Sequence, residues 1–295
     1  RALKSAPHER AKLRVLHVRE LPAGWLGKNH ALQTAAGAAR GELLLFTDAD
    51  IHFTRSALAR AVRYMREHEI DHLASIPKVA APTVWTKLAV HFFSFAFAAF
   101  MKPWKAADPK STRHIGVGAF NLVRADVYRR VGGHRRIAMR PDDDIKLGKI
   151  VKASGAKQEL VNGAGMIEVT WYPTVREFVR GLEKNTFSGI EYSTPMAIAA
   201  ILGCVAVHVW PTAALFVTRG LERRLWSAVV ALQMLILGAT ARASGDHPIL
   251  GIGYPVGAAI FTYTITAATL KTLARGGIEW RGTFYSLDAL RANRV

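Results

Sequence analysis

Two aspartates one residue apart, Asp48 and Asp50, close the apolar run of LLLFTDADIHF. Carboxylates this near repel each other unless a cation joins them, and a divalent ion with oxygen ligands that also reaches a diphosphate satisfies both. The spacing alone is a weak signal, since Asp142 and Asp144 repeat it in RPDDDIKLGKIVKASG. There, three aspartates precede the helical pattern Ile145, Leu147, Ile150, Val151. A helix dipole favours acids at such a start by ~0.3–1 kcal/mol each. Only one of them can be the N-cap, so three exceed what capping needs, and acid–base chemistry stands beside capping as a reading. His52 follows the first pair and is either a third ligand for a transition metal or a loop histidine. Lys28 in GWLGKNHA is either a phosphate-binding ammonium beside a helix start or a solvated first-turn residue.

The elements that must position these groups alternate. LRVLHVR, residues 13–19, has the alternation of a short strand, and NHALQTAAGAARG is an Ala-rich helix closed by Gly41. ELLLFT reads as a buried parallel-type strand, RSALARAVRYMREH as an amphipathic helix, and HLASI as a strand before Pro77. Alternating helices and strands predict an α/β domain, in which ligands gather at the carboxyl ends of strands, where Asp48 and Asp50 fall. Gly116 and Gly118 in HIGVGAFNLVRADVY either let backbone approach a ligand or form a turn before the strand AFNLVR.

The chain has 295 residues, half of them hydrophobic, and a formal net charge of +18. No charged residue occurs in 193–218, 225–241 or 247–270, runs of 26, 17 and 24 residues. Each is near the ~20 apolar residues that span a bilayer. Three in succession predict membrane helices rather than core helices, after a catalytic domain at 1–192 and before a basic tail at 271–295. KLAVHFFSFAFAAFMK has 14 uncharged residues between Lys87 and Lys102, five of them phenylalanine. By length it reads as a helix at about 85–101 lying in the membrane interface, or as a core helix, and not as a span. Cys204, the only cysteine, lies in the first apolar run, so an internal disulfide is excluded. The start, RALKSAPHERAKLRVLHV, has no signal-peptide core and reads as mid-domain. The scattered arginines match no nucleic-acid module, and a bilayer surface with an anionic phosphate substrate accounts for them better. Three full crossings would put Arg219, Arg223 and Arg224 on the side opposite the catalytic domain, against the positive-inside tendency. The sequence therefore predicts a first run that enters and returns at Trp210-Pro211, followed by a hairpin with RASGDHP outside.

Three segments in this order, GWLGKNHALQTAAGAARGELLLFTDADIHF, GVGAFNLVRADVYRRVGGHRR and PDDDIKLGKIVKASG, resemble the family 2 glycosyltransferases. The membrane-bound branch that glycosylates lipids, which includes ceramide glucosyltransferase and hopanoid- or carotenoid-associated enzymes, is the most similar. The resemblance covers roughly residues 13–190 and the apolar tail. It implies a GT-A catalytic domain, a Rossmann-like mixed sheet, with its first strand upstream of Arg1. It also implies a nucleotide-sugar donor, a lipid or membrane-embedded acceptor, and Mn²⁺ or Mg²⁺. Asp48 and Asp50 are then the metal motif, with Asp50 the direct ligand and Asp48 shared with the ribose. Gly27 and Lys28 lie near the nucleotide, and Gly116 and Gly118 beside the donor sugar. Asp144, preceded by Asp143 where the family usually has Glu-Asp, is the general base of an inverting transfer.

WYPTVREFVRGLEKNTFSG resembles the amphipathic segment that precedes the family's membrane helices, but Arg180-Gly-Leu-Glu183-Lys184 stands where a Gln/Arg-x-x-Arg-Trp motif is expected. That departure argues against a polysaccharide-elongating synthase. A noncatalytic membrane scaffold of the same fold is the rival from another class. The expected location is a bacterial inner membrane with the catalytic domain cytoplasmic.

Overall fold

The computed structural model describes residues 13–295, so most of the stretch read as mid-domain at the start of the chain lies outside the described residues. The strand predicted at 13–19 does not form, and residues 13–24 are exposed coil and turn. Alternation supplies a face but not a ladder, and no described strand pairs with this segment.

The main sheet has the order β1-β5-β3-β6, formed by β1 (Leu43–Phe46), β3 (His72–Ile76), β5 (Asn121–Arg124) and β6 (Gln158–Asn162). β5 is antiparallel to both β1 and β3, and only β3 and β6 run parallel. The parallel type predicted for ELLLFT is therefore corrected. The run is continuously apolar because both of its faces are covered, whichever way the neighbouring strand runs. Leu44 packs with Val123, Val127 and Leu147 on one side, and Leu43 and Leu45 pack with Leu73, Phe120 and Leu122 on the other. A second sheet, β2-β7-β4, joins His52–Phe53 and Lys78–Ala80 to the two edges of β7 (Ile167–Thr170). Around the sheets lie α1 (Gly27–Ala38), α2 (Ala57–Glu67), α4 (Ala125–Arg130), α5 (Asp143–Ala153) and α6 (Val175–Thr186). The expected α/β class with a mixed sheet is present.

α3 (Val84–Met101) has 18 residues, about 27 Å at 1.5 Å per residue, so with Lys102–Lys105 it is long and apolar enough to cross a membrane. The helix is longer than the 14 uncharged residues suggest, because it starts at the Thr83 capping box, four residues before Lys87. Both of its ends nevertheless return to the catalytic domain. It starts shortly after β4, packs Ala89, Val90 and Phe93 against Phe178 and Leu182 of α6, and places Phe97 on Ala74 and Ile115 of the main core.

Three further stretches are long and apolar enough to cross: Thr194–Val217, Gly220–Ala243 and Pro248–Arg275. Away from their charged ends their exposed side chains are mostly apolar, including Leu202, Phe216, Leu235 and Leu270, the inverse of a water-facing helix. The first stretch does not break at Pro211. α7 (Thr194–Cys204) passes through a π turn at Val205–Val209 into α8 (Trp210–Val217). Proline has no N–H for the carbonyl four residues back, which is that of Val207, and the side-chain amide of Gln233 on α9 (Gly220–Ala243) donates to it instead, at 2.7 Å. The interruption falls later. After α9, Pro248–Gly253 folds back along that helix so closely that a side chain on Gly251 would meet the Met234 carbonyl at 2.2 Å, and α10 (Tyr254–Arg275) follows. Asp246, in the turn before this segment, is ion-paired with Lys87 and bonded to His91 of α3. RASGDHP thus sits on the catalytic-domain end of the helices, and Arg219, Arg223 and Arg224 stand at the other end of α9, the reverse of the predicted arrangement.

The C-terminal residues return to the catalytic domain. A hairpin of β8 (Gly277–Trp280) and β9 (Thr283–Ser286), then α11 (Leu287–Ala292), packs Ile278, Leu287 and Leu290 against Leu26, Phe187 and Tyr192.

Candidate active site

The site forms where β1 ends, where the loop before β5 turns and where α5 begins. Asp48 leaves the strand tethered by its N–H to the Gly118 carbonyl at 3.0 Å, while the Thr47 hydroxyl donates to the Ala119 carbonyl. The loop at 115–118 lies directly on α5. A Cβ on Gly116 would fall 1.8 Å from the Asp144 carbonyl oxygen, and one on Gly148 would fall 1.9 Å from that of Ile115. Gly116 therefore faces the α5 backbone. Gly118 faces the cleft: its N–H donates to Asp144 Oδ2 at 2.8 Å, and a Cβ there would lie 2.7 Å from Asp48 Oδ2 and 3.4 Å from Asp144 Oδ2.

α1 supplies the cation. Lys28 Nζ lies 3.0 Å from Asp48 Oδ1 and 3.1 Å from Asp143 Oδ1, so one ammonium joins acids that are 95 residues apart in sequence. The next residue, the fully buried Asn29, donates its amide to the carbonyls of Ile137, Ala138 and Arg140, which fixes the segment entering the aspartate triplet. Gly27 opens the helix with open space around its Cα.

The triplet divides its work. Asp142 occupies the N-cap position without capping; its carboxylate takes a two-pronged bond from the buried Arg140 at 3.0 Å. Arg140 also reaches Glu191 at 2.7 Å and the Ser188 carbonyl, and Lys146 adds a second contact to Glu191. This network ties α5 to the link between α6 and α7. Asp143 is buried against Lys28. Asp144 is anchored by the N–H groups of Gly118 and Ile145, and its carbonyl accepts the Asn121 amide. Behind it, the buried His72 bonds to Asn121 through Nε2 and to Gln158 through Nδ1, and Gln158 accepts the Ile115 N–H and donates to the Gly148 carbonyl. Burial pushes His72 down to about 4, and this neutral ring fits the chain of bonds, with one nitrogen donating and the other accepting.

Lys28 stays charged although its burial opposes that, because Asp143, Asp48 and Asp144 raise its pKa above that of a free lysine. Burial dominates for the acids: it pushes Asp143 up to about 6 against the pull of Lys28, and raises Asp144 as well. Lys28, Thr47, Asp48, Gly118, Asn121, His134, Asp143 and Asp144 line one cleft.

The profile of glycosyl transferase family 21 matches residues 4–292, nearly the whole chain. The chain belongs to glycosyl transferase family 21. A 4,4'-diaponeurosporenoate glycosyltransferase from Staphylococcus aureus strain MRSA252 is 20% identical over 271 residues, covering 90% of this chain and 72% of the relative. The same enzyme from strain USA300 is 19% identical over the same length. The expectation of a membrane-bound glycosyltransferase holds at this level, and the family matched is 21, where the sequence resembled family 2.

In this family 21 enzyme Lys28, Asp48, Gly118, Asp143 and Asp144 converge. Asp50, Gly27 and Gly116 do not line the cleft. Asp50 is exposed, and the Tyr172 hydroxyl is pushed up to about 12 by burial, with Asp50 and Asp48 adding to it. His52 is exposed on β2, paired with Glu168. Among the described residues no three metal-ligating side chains cluster. Two carboxylates fit Mg²⁺ or Mn²⁺ only where substrate phosphates complete the shell, which is the usual way Mg²⁺ is held. Asn29, Asn121 and Tyr172 carried no signal in the sequence, because each acts through a contact made by folding.

Proposed function

We propose that this glycosyltransferase moves a sugar from a nucleotide-sugar donor to a lipid acceptor, with inversion at the anomeric carbon and with a divalent metal. The observation that carries the reading is the convergence of Lys28, Asp48, Asp143 and Asp144 in one cleft on a domain that packs on apolar helices. The carotenoid substrate in the name of the Staphylococcus aureus relatives supports a lipid acceptor.

Asp144 is the general base. It takes the proton from the acceptor hydroxyl as that oxygen bonds to the anomeric carbon from the face opposite the diphosphate. The bond from that carbon to the leaving oxygen breaks, its electron pair stays with the nucleoside diphosphate, and Asp144 later returns the proton to water. Lys28 pairs with both Asp48 and Asp143 and stands beside the charge that develops on the leaving group. Asp48 at the cleft and Asp50, on the exposed turn that follows it, would hold the Mg²⁺ or Mn²⁺ ion, which would supply Lewis-acid stabilisation of that charge. α3 and α6, packed on each other, bring the apolar surface to the domain that carries the cleft, so an acceptor need not leave the bilayer. The catalytic domain then faces the cytoplasm from a bacterial inner membrane.

The test is incubation of the full chain in lipid nanodiscs with UDP-, GDP- and dTDP-sugars and a lipid extract. Nucleoside diphosphate release and a hexose-sized mass increase on a lipid are expected, both abolished by a chelator and restored by Mn²⁺ or Mg²⁺. Diphosphate release that makes a growing polymer would refute the single-transfer reading.

A further inference from the structure

α2 covers the face of the main sheet opposite to α5, and it does so unevenly. Ala57, Ala61 and Met65 recur every fourth residue and share the inward stripe of the helix. Met65 fills its place against Ile70 and Leu73. The two alanines do not, and beneath them lies a cavity of about 200 Å³ with Leu73, Phe120, Val161 and Met166 on its walls. Protein interiors hold few voids larger than a water molecule, and an apolar cavity of ~150 Å³ is enough to bind benzene. The cavity is separate from the catalytic cleft. Asn121 turns to Asp144, whereas Phe120, one residue earlier, turns to the other face of the sheet and lines the cavity.

Two polar groups on the cavity wall are without partners. Ser75 lies on the same face of β3 as Leu73 and is 3% exposed, and its hydroxyl makes no hydrogen bond among the described residues. A buried hydroxyl in that condition is unfavourable, so one that faces an open space is a group for a ligand to satisfy. Arg60 is the one charged residue among those that line the cavity. Arg63 and Arg66 of the same helix pair with Glu67 and Glu42, whereas Arg60 has no carboxylate partner among the described residues. The nearby carboxylate of Glu159 accepts the Tyr64 hydroxyl at 2.7 Å instead. We propose that this cavity is a binding site for an amphipathic carboxylate. Its apolar body, of the size of one ring or a short chain, lies over Leu73, Phe120 and Met166. Ser75 hydrogen-bonds to it, and its anionic head pairs with Arg60. An amine of the same shape meets Arg60 as a like charge, and an alcohol of the same shape forgoes the ion pair.

The test is equilibrium dialysis of the full chain in lipid nanodiscs against phenylpropionate, phenylpropylamine and phenylpropanol, with empty nanodiscs to subtract partition into lipid. Phenylpropionate should bind saturably and at least about tenfold more tightly than the amine, with the alcohol between them. Arg60→Met should weaken phenylpropionate by about tenfold, and Ser75→Ala by about threefold to tenfold. Ala61→Phe, which fills the space, should abolish binding. Should that variant fail to fold, Arg60→Met, at an exposed position, still decides the matter. Arg63→Met, which removes a charge already paired with Glu67, should bind as the wild type does. Saturating UDP or GDP with Mg²⁺ should leave phenylpropionate binding unchanged, because the cleft lies on the other face of the sheet. No saturable binding, equal binding of carboxylate and amine, wild-type affinity in Arg60→Met, or displacement by nucleotide overturns the proposal. None of these outcomes touches the transferase reading, which rests on Lys28 and the aspartates.

Discussion

Alanine at Gly116 and at Gly118, two residues apart on one loop, should both lower the rate, but only the first should lower stability. At Gly116 the added carbon meets the Asp144 carbonyl oxygen at 1.8 Å and its carbon at 2.4 Å, both backbone atoms of the first turn of α5. Real Cβ atoms essentially never come nearer than 3.0 Å, so loop and helix must separate by 3.0 − 1.8 = 1.2 Å. Overpacking of this kind costs about 1–3 kcal/mol, or a Tm lower by about 2–4 °C per kcal/mol in a domain of this size. The same movement pulls Asp144 from the Gly118 N–H, and a displacement of about 1 Å at a catalytic group costs about a hundredfold in rate. At Gly118 the added carbon meets only the end of the Asp48 side chain, at 2.7 Å, so 0.3 Å of movement by a rotatable carboxylate relieves it. Stability should then change by less than about 1 kcal/mol, while turning Asp48 away from Lys28 lowers the rate. Thermal unfolding in detergent and nucleoside diphosphate release measure the two quantities. A Gly116→Ala protein with wild-type Tm and wild-type rate would refute the claim that this glycine sets the distance between loop and helix, and Gly148→Ala, which closes to 1.9 Å on the Ile115 carbonyl, checks it independently.

Asp144→Asn should lower kcat by about 10²–10⁴-fold, because the amide cannot take a proton, and should cost about 1–3 kcal/mol of stability, because its NH2 meets one of the two N–H groups, of Gly118 and Ile145, that the carboxylate accepts. A base works unprotonated, so kcat/KM rises with pH through the acid limb. Burial raises both Asp143, to about 6, and Asp144, which places that limb above the range of a free aspartate, and Lys28→Met should move it higher still. A limb near pH 4 in the wild type would contradict this assignment. Arg140→Leu leaves the buried Asp142 with only the longer contact to Lys146, at 3.7 Å, and should destabilise the chain by about 3–5 kcal/mol, read as a lower midpoint of denaturation. A reporter fused after Gly220 should lie on the membrane side opposite one fused after Val295. Reporters on the same side would refute the arrangement in which α7–α8 and α9 form the crossing hairpin.

Much of the site was legible as residue types in context. An apolar run ending on Asp48, an acid triplet opening α5, and a lysine at the start of α1 each gave a local reason to expect a ligand, and all three meet in the cleft. The division of labour among the acids was not legible. Asp142, Asp143 and Asp144 are the same residue in a row, and what separates them is whether Arg140, Lys28 or the Gly118 N–H lies opposite. The helical break was expected at Trp210-Pro211, because a proline marks a lost backbone bond, and the sequence gives no hint that Gln233 of another helix restores it.

By itself, then, the sequence determined the α/β class, the apolar helices and the candidate acids, because strand and helix periods, hydrophobic run length and side-chain chemistry are properties of neighbours along the chain. Only the tertiary structure decided that β1 lies antiparallel to β5, that Gly116 is a contact between backbones, and that Gln233 donates to the Val207 carbonyl. Each of these depends on what a second segment, tens of residues away or more, presents at contact distance, and packing and short-range electrostatics act at that distance whatever the separation in sequence.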